Sequence, residues 1–177
     1  MSRARPPIPL PDPALAEGDV VLRPWEAVDA PVLAEAWEDP EIQAWTGVPE
    51  RHDVAAARRW IEGEGDRRAR GLALDLAIEV DDEVVGEVGV AATDPAPRTA
   101  EIGWWIAPDH RGRGLATRAT RIFAEWVLDE LSIDALRARI EPGNPASRSV
   151  AAGAGFVQAA ALPTGAEVWE RRADAVS

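Results

Sequence analysis

A glycine-rich turn between a strand pattern and a long amphipathic pattern constrains the fold of this chain more than any other feature. The stretch EIGWWIAPDHRGRGLATRA occupies residues 101–119. Its first six residues form an apolar strand pattern, and from Leu115 apolar residues recur at helical spacing as far as Leu131. The sequence therefore predicts a strand that passes through a short loop into the first turn of a helix.

The start of this helix is predicted to bind an anion. The first N–H groups of a helix have no intrahelical partner, and the helix dipole places about half a positive charge there. Gly112 and Gly114 let a ligand approach the backbone, and Arg111 and Arg113 can add charge-assisted hydrogen bonds to a phosphate. The alternative is a glycine-rich helix start with ordinary surface arginines.

Two other nucleotide-binding patterns fit this turn poorly. A Walker A loop requires a lysine after its last glycine, and this chain contains no lysine. A dinucleotide-binding fold requires G-x-G-x-x-G after the first strand of a βαβ unit, whereas Gly112 follows a predicted antiparallel hairpin. A phosphate site of a different class is therefore favoured.

Composition restricts the class of protein. The 177 residues suffice for one domain, the hydrophobic fraction is 46%, and no apolar run approaches the roughly 20 residues of a membrane span. Prolines interrupt residues 1–18 where a signal peptide would need an apolar segment, so we expect a cytoplasmic protein. Because there is no cysteine, thiolate metal sites and acyl-cysteine intermediates are excluded, and we expect no metal.

Charge restricts the class of partner. Thirty-one acidic residues against nineteen basic ones give a net charge of −12. This charge disfavours non-specific binding to nucleic acid, since the phosphate backbone supplies most of that attraction. We therefore expect a cationic partner, with no nucleic acid and no membrane.

The remaining pattern predicts one domain over residues 19–172, between a proline-rich tail or extended packing arm at 1–18 and a tail at 173–177. Strands are predicted at 20–22, 74–80, 84–91, 100–106, 135–140, 156–159 and 168–171. Helices are predicted at 30–37, 54–70, 114–131 and 145–153. Residues 40–49 are predicted to be irregular, and 94–97 to form a turn.

Residues 111–116 resemble motif A of the GNAT superfamily of N-acetyltransferases, R/Q-x-x-G-x-G/A, at each specified position. The preceding EIGWWIAP is similar to the family's fourth strand. ARIEPGNPASRSVAAGAGF, residues 138–156, resembles the fifth strand and following helix of the RimJ/RimL-like branch, with its N-x-x-S pattern. VLRPWEAVDAPVLAEAW, residues 21–37, is similar to that branch's first strand and helix, so the resemblance covers roughly residues 19–172.

The resemblance implies an α/β (α+β) GNAT fold with acetyl-CoA as co-substrate. The expected sheet is mixed and mostly antiparallel, has six to seven strands, splays between the family's fourth and fifth strands, and is flanked by about four helices. The pyrophosphate would bind to the backbone of the glycine turn, and pantetheine would pair with the neighbouring strand. The expected cofactor-binding residues are Trp105, Ile106, Arg111, Gly112, Arg113, Gly114, Ala116, Thr117 and Asn144.

An amine attacks a thioester only as the free base, so a general base is useful. Glu101 is the first candidate, because it shares a strand face with Gly103 and Trp105 and matches a position where some GNAT enzymes carry a glutamate working through water. The alternative for Glu101 is a solvated acid at a strand end. Glu87, His110 and His52 are the other candidate bases, and Glu87 would need a partner if buried.

Many GNAT enzymes use a tyrosine to protonate the departing CoA thiolate, but this chain has no tyrosine. Ser147 resembles a serine that the RimJ/RimL-like branch places near the sulfur, and the resemblance implies that Asn144 holds a pantetheine carbonyl. The alternative is that Asn144 caps a helix and Ser147 is a first-turn hydroxyl, and the two interpretations are compatible.

The acceptor side is predicted at Trp45 and Glu87, and at most one of Trp104 and Trp105 is expected to line the cleft. By resemblance, the acceptor is a protein N-terminus or a small amine, and a homodimer is compatible with the family. Because no covalent acyl carrier is evident, we expect direct attack in a ternary complex. The alternative is a non-catalytic acyl-CoA-binding sensor or scaffold module.

Overall fold

A single mixed β-sheet forms the centre of the protein. The computed structural model describes residues 5–92 and 98–173, so the predicted turn at 94–97 lies outside the described residues. The strands are β1 Leu15–Glu17, β2 Val20–Pro24, β3 Ala73–Val80, β4 Glu83–Ala92, β5 Thr99–Ile106, β6 Ala135–Ile140, β7 Val157–Ala161 and β8 Glu167–Arg172. Their order is β1-β2-β3-β4-β5-β6-β8-β7, and only the β5–β6 pair is parallel among the described strands. This is the predicted GNAT fold.

The described part of the chain contains six α-helices rather than about four. They are α1 Ala30–Trp37, α2 Pro40–Trp45, α3 Val54–Glu62, α4 Glu64–Ala69, α5 Leu115–Glu130 and α6 Pro145–Gly153, with short 3-10 turns at Ala27–Asp29 and Pro108–His110. The helix predicted over 54–70 is divided at Gly63. No helix among the described residues is both long and apolar enough to cross a bilayer.

The helix α2 corrects the prediction that residues 40–49 are irregular. The side chain of Asp39 accepts a hydrogen bond from the Ile42 amide at 2.9 Å, and Pro40 occupies the first helical turn. An aspartate cap followed by proline favours a helix start, so these residues begin a helix where the prolines had indicated a break.

One more strand is present than the sequence predicted. β1 pairs antiparallel with β2 through Leu15–Leu22, although it lies within the segment predicted as a tail or packing arm. Further upstream, Ile8 is buried and its amide donates to the Arg68 carbonyl at 3.0 Å. A three-residue strand is too short to show an alternating pattern among prolines, which explains why it was missed.

The sheet separates two apolar cores. On one face α5 and α6 cover a core that includes Phe123, Leu115 and Leu136. On the other face α1 to α3 cover a second core in which Trp25, Trp37 and Trp105 are buried. The second core contains more tryptophan than the first, and its exposed edge borders the site described below.

The two central strands β5 and β6 diverge. They pair at only three positions, from Thr99–Ala135 to Glu101–Arg137. Beyond Glu101, β5 continues to pair with β4 and β6 continues to pair with β8. A gap therefore opens in the middle of the sheet beside residues 102–106, which is the predicted splay.

Candidate active site

A cavity of about 390 Å³ lies between this gap and the start of α5. The predicted cofactor-binding residues that line it are Trp105, Ile106, Arg111, Gly112, Gly114, Ala116, Thr117 and Asn144. Arg113 does not line the cavity; its side chain is exposed and lies 3.4 Å from His110 Nδ1. The fold thus brings nearly all of the predicted set together.

The start of α5 is open to a ligand. Its N-cap is Gly114, which has a φ of 72° and offers no side-chain hydrogen bond, and Gly112 has a φ of 74°. The side chains of Asp39, Asp53 and Asn144 cap α2, α3 and α6, whereas α1, α4 and α5 have no side-chain cap, and among these three α5 alone begins at a glycine turn with left-handed backbone. Left-handed backbone favours glycine at both positions of the turn, and the uncapped amides of the first turn fit an anionic group such as a diphosphate.

The Arg111 side chain is engaged away from this opening. Its Nη2 donates to Asp39 Oδ1 at 2.7 Å, its Nη1 donates to Glu41 Oε2 at 2.8 Å, and its Nε donates to the Ile106 carbonyl at 2.9 Å. Partial burial acts to raise the pKa of Asp39, but hydrogen bonds from Arg111 and the Ile42 amide outweigh it and hold that pKa below its usual value. The structure therefore pairs this guanidinium with carboxylates, where the sequence had suggested a phosphate.

A second cavity, of about 310 Å³, lies beside the same gap, between β5 and β6. It contains the carboxyl groups of Asp75, Glu87, Glu101 and Glu141, together with Arg139. The two cavities share the residues Trp45, Thr46, Trp104, Trp105, Asn144 and Ser147. The shared wall joins the cavity at the start of α5, which is the predicted anion-binding end, to the cavity with these four carboxyl groups, which is called the acidic end. The two cavities are therefore parts of one cleft.

Both Trp104 and Trp105 line the cleft, so the expectation that at most one of them would do so was wrong. The two side chains do point to opposite faces, since Trp105 belongs to the second core and Trp104 packs against the first. Because the sheet is open beside β5, a cleft that passes through it reaches both faces. The expectation would hold only for an intact sheet.

Two glycines on neighbouring strands, Gly89 and Gly103, line the acidic end. Gly89 pairs with Asp75 on one side and with Gly103 on the other, across three adjacent strands. A Cβ at Gly89 would lie 2.2 Å from Asp75 Oδ1, so the carboxyl of Asp75 occupies the space over this glycine. Any side chain at Gly89 would displace Asp75 from the cavity.

Glu87 is fixed in place by two indole groups. Trp25 Nε1 donates to Glu87 Oε2 at 2.9 Å, and Trp105 Nε1 donates to Oε1 at 3.1 Å. The two indoles stack with centroids 6.3 Å apart. Burial, with the negative charge of Asp75 in addition, raises the pKa of Glu87 to about 8, against the lowering effect of the two indole donors.

Asp75 is a site residue that the sequence analysis missed. Burial raises its pKa to about 6, although Arg67, 3.8 Å away, acts to lower it. An aspartate within the largely apolar strand ALDLAIEV could have indicated this site. Burying a carboxyl group costs free energy unless it is paired or hydrogen-bonded, so such a residue often has a functional role. Its position beside Glu87 depends on strand register, which the sequence does not reveal.

A profile of the acetyltransferase (GNAT) domain matches residues 19–157, well over half of the chain. The chain belongs to the GNAT acetyltransferase family. It is 31% identical over 130 residues to an uncharacterised N-acetyltransferase, p20, of Bacillus licheniformis, covering 72% of this chain and 73% of that one.

Two further GNAT relatives are informative. A ribosomal-protein-serine acetyltransferase of Escherichia coli (strain K12) is 29% identical over 102 residues, which is 56% of either chain. The structure of Mycobacterium smegmatis RimJ in complex with CoA-disulfide superposes with a TM-score of 0.76 and 25% identity, covering 88% of this chain and 82% of that one. The resemblance to RimJ/RimL-like enzymes is therefore supported.

Within the GNAT cleft, Glu101 differs sharply from Glu87. Its side chain is exposed, lines the acidic end, and makes no hydrogen bond or ion pair with another described residue. Its strand neighbours are Ala91 on β4 and Arg137 on β6, so it lies at the point where the sheet begins to open. The Glu101 carboxyl group therefore faces the cleft without a partner among the described residues.

The two histidines lie less favourably for a base. His110 lines the anion-binding end, 3.5 Å from Glu83, and not the acidic end. His52 lines neither cavity and lies 3.2 Å from Glu38. Among the described residues there is also no group of three or more acidic or histidine side chains arranged to hold a metal ion.

Asn144 and Ser147 lie where the two cavities meet. Asn144 Oδ1 accepts a hydrogen bond from the Ser147 amide at 3.1 Å, so Asn144 caps α6. This bond uses the amide oxygen of Asn144 and the backbone of Ser147, which leaves the Asn144 NH₂ group and the Ser147 hydroxyl for other partners. The capping role predicted as an alternative is therefore present, and it is compatible with a role in the cleft.

Proposed function

We propose that this protein is an N-acetyltransferase that binds acetyl-CoA at the start of α5 and transfers the acetyl group to a primary amine by direct attack. One observation supports this most strongly. An uncapped, glycine-rich helix start opens into a gap in the sheet, and the gap leads to a cavity lined with carboxyl groups. An anionic carrier and a cationic acceptor would thus enter the cleft from opposite ends.

Backbone groups are proposed to make most of the contacts with acetyl-CoA. The amides between Gly112 and Thr117 would hold the pyrophosphate, supported by the helix dipole. Backbone groups near Trp105 and Ile106, which β6 leaves unpaired, would meet the pantetheine amides, apart from the Ile106 carbonyl, which already accepts from Arg111 Nε. The Asn144 side chain would donate to a pantetheine carbonyl. Acetyl-CoA supplies an acetyl group activated as a thioester.

Glu101 is proposed as the base and Ser147 as a donor near the sulfur. The amine nitrogen bonds to the carbonyl carbon, the carbon–sulfur bond breaks, and the proton lost by the amine passes to Glu101 directly or through water. The Ser147 hydroxyl would support the departing thiolate. Since a thiol has a pKa of about 8.5, this support is needed less than the base is.

The acidic end is proposed to select a cationic acceptor. The carboxylates of Glu101 and Glu141 would attract an ammonium group, and Glu87 would add to this attraction once it loses its proton near pH 8. Trp45, which is 42% exposed at the end of α2, would form an aromatic wall. A cavity of about 310 Å³ admits a small amine or the first residues of a polypeptide. The ribosomal-protein acetyltransferases among the relatives make a protein N-terminus the first acceptor to test. Cytoplasmic location and homodimer formation stay predictions.

The proposal is tested by binding and by turnover. CoA should raise the thermal unfolding temperature, and acetyl-CoA should release free thiol only when a suitable amine or peptide is present. Initial-rate plots against both substrates should intersect, as a ternary complex requires, whereas parallel lines would contradict direct attack. Binding of CoA without thiol release across amines and N-terminal peptides would favour the non-catalytic acyl-CoA-binding module instead.

A further inference from the structure

The side chain of Arg111 connects the glycine turn to the short helix α2. It reaches the Ile106 carbonyl on its own side, and Asp39 and Glu41 on α2 and its cap. These acids precede Arg111 by about 70 residues along the chain. The contact is thus a tertiary link between two segments that line the cleft.

The helix α2 has few other attachments. It has six residues, and a helix of that length is not stable by itself in water. Ile42 inserts into the second core, and Gln43 Nε2 donates to the Trp37 carbonyl at 2.7 Å. Trp45 and Thr46, at its end, line both cavities. The position of this part of the acceptor wall therefore depends strongly on how the start of α2 is fixed.

Arg111 and Asp39 fix that start together. Asp39 Oδ1 accepts hydrogen bonds both from Arg111 Nη2 and from the Ile42 amide. The same oxygen therefore caps α2 and forms the ion pair with Arg111. The Asp39 side chain is only 14% exposed, which protects this pair from screening by water. Glu41 is largely exposed and adds a weaker second contact.

We propose that the Arg111 side chain is a positioning residue for the acceptor end: it holds α2, and with it Trp45, against the cleft, while only the backbone of Arg111 serves the diphosphate. This inference rests on the proposed function. Loss of the side chain is therefore expected to raise the Michaelis constant for the acceptor and to leave the affinity for CoA largely unchanged. It also gives the two arginines of the turn different roles, since Arg113 has no carboxylate partner among the described residues.

The first experiment separates the two substrates. In Arg111→Gln the acceptor KM should rise about tenfold, because a charge-assisted hydrogen bond is lost, while the Kd for CoA by calorimetry should change less than about threefold. Asp39→Asn keeps a capping side chain but removes the charge, and it should reproduce the rise in acceptor KM. Adding Arg111→Gln to Asp39→Asn should produce little further rise, since both changes remove the same contact.

Arg113→Gln is the matched control in the same turn, and it should not raise the acceptor KM. A phosphate-free donor, acetyl-pantetheine, provides a second check: the rise in acceptor KM in Arg111→Gln should persist with it. The inference is overturned if Arg111→Gln weakens CoA binding tenfold or more and Asp39→Asn leaves the acceptor KM unchanged.

A measurement without turnover keeps the inference separate from the proposed function. Hydrogen exchange of the amides in residues 40–46 should be faster in Arg111→Gln and in Asp39→Asn than in the unmodified protein, and unchanged in Arg113→Gln. This result is expected even if no amine proves to be an acceptor. Equal exchange in all four proteins would show that Arg111 does not hold α2.

Discussion

The two ends of the cleft are built from different chemical groups. At the anion-binding end, the structure offers backbone amides and two glycines in left-handed conformation, with no side-chain cap. At the acidic end, it offers side chains from three adjacent strands, with Glu87 fixed by the indoles of Trp25 and Trp105. Backbone amides carry no proton that titrates near neutral pH, whereas the pKa values of the carboxyls are set by their surroundings.

This difference indicates a division of labour. A diphosphate keeps its negative charge throughout the reaction, so fixed dipoles suffice to bind it. An amine must change from ammonium to free base and then lose another proton, so the groups around it must respond to protonation. The following predictions test whether the two ends are separable in this way.

The largest expected effect is at the glycine turn. In the double variant Gly112→Val and Gly114→Val, the Kd for CoA should rise more than about 100-fold, since a β-branched residue disfavours the left-handed backbone that presents several charge-assisted hydrogen bonds. Calorimetric titration with CoA measures this. The pH dependence of unfolding that comes from Glu87 at the acidic end should be unaffected.

Gly143→Val is the matched control for backbone strain. Gly143 has a φ of 84° and open space where a side chain would lie, as Gly112 and Gly114 do, but it lines neither cavity. It should lose stability without losing CoA affinity. If all these variants weaken CoA binding equally, the turn is not the diphosphate site.

The next effect separates the two glutamates of the acidic end. Glu101→Gln should lower kcat at pH 7 by about 100-fold, the usual contribution of a general base, and the loss should shrink at high pH where the acceptor amine is already free. Glu87→Gln should instead leave kcat at pH 7 largely unchanged, because the Glu87 carboxyl is mostly neutral there. It should raise the acceptor KM by about tenfold only above pH 8, where an ionic contact is replaced by a neutral one.

Full pH profiles of kcat and kcat/KM for both variants decide between these roles. The opposite pattern, with kcat lost in Glu87→Gln and retained in Glu101→Gln, would transfer the role of base to Glu87. That outcome would agree with the raised pKa of this carboxyl, and it would leave the division between the two ends intact.

The difference between the two ends also explains how much could be predicted from the sequence. The anion-binding end depends on residues 111–117, which are neighbours in the chain, so a local pattern is sufficient to recognise it. The acidic end depends on register: Asp75 meets Gly89 only because β3 and β4 pair as they do. No local signal reveals such a pairing.

Two other features were missed for the same reason. The partners of Arg111 lie on α2, about 70 residues earlier in the chain, and the sequence offered a phosphate as the nearest partner for a guanidinium in that turn. Both Trp104 and Trp105 line the cleft because the sheet is open beside them, which strand alternation alone does not predict. Contacts between distant segments were thus the part that sequence reasoning could not supply.

A smaller effect concerns stability and pH at the acidic end. The pKa of Glu87 is raised from its ordinary value to about 8, so the folded protein keeps a proton between about pH 4.5 and 8 that the unfolded chain releases. The contribution of Glu87 to the free energy of unfolding is therefore fully present below this range and is lost as pH rises through it. Glu87→Gln removes this pH dependence.

We expect that between pH 5 and pH 8 the unmodified protein loses at least about 1 kcal/mol more unfolding free energy than Glu87→Gln does. Urea unfolding at the two pH values measures the difference. Glu62→Gln, at an exposed position at the end of α3 with no hydrogen bond or ion pair to another described residue, is the control and should leave the pH dependence unchanged. A parallel decline in Glu87→Gln and the unmodified protein would contradict the raised pKa.

The smallest effects are expected where the two ends meet, at the start of α6. The capping bond uses the Ser147 backbone, so Ser147→Ala leaves it in place, and any loss reports on the hydroxyl alone. We expect kcat to fall about three- to fivefold, because a thiolate with a pKa near 8.5 already leaves readily at neutral pH. Asn144→Ala removes the cap itself and should lower the free energy of unfolding by about 1 kcal/mol.

Thermal unfolding of both variants measures the contribution of the helix cap to stability, and their steady-state rates measure the contribution to catalysis. Loss of stability in Asn144→Ala with a modest change in kcat would agree with a cap that also contacts pantetheine. If Ser147→Ala instead lowered kcat as strongly as Glu101→Gln is expected to, the hydroxyl would be essential to the departure of CoA. The start of α6, where the two ends meet, would then take part in catalysis. The reaction could no longer be divided between the backbone amides of the anion-binding end and the carboxyl groups of the acidic end.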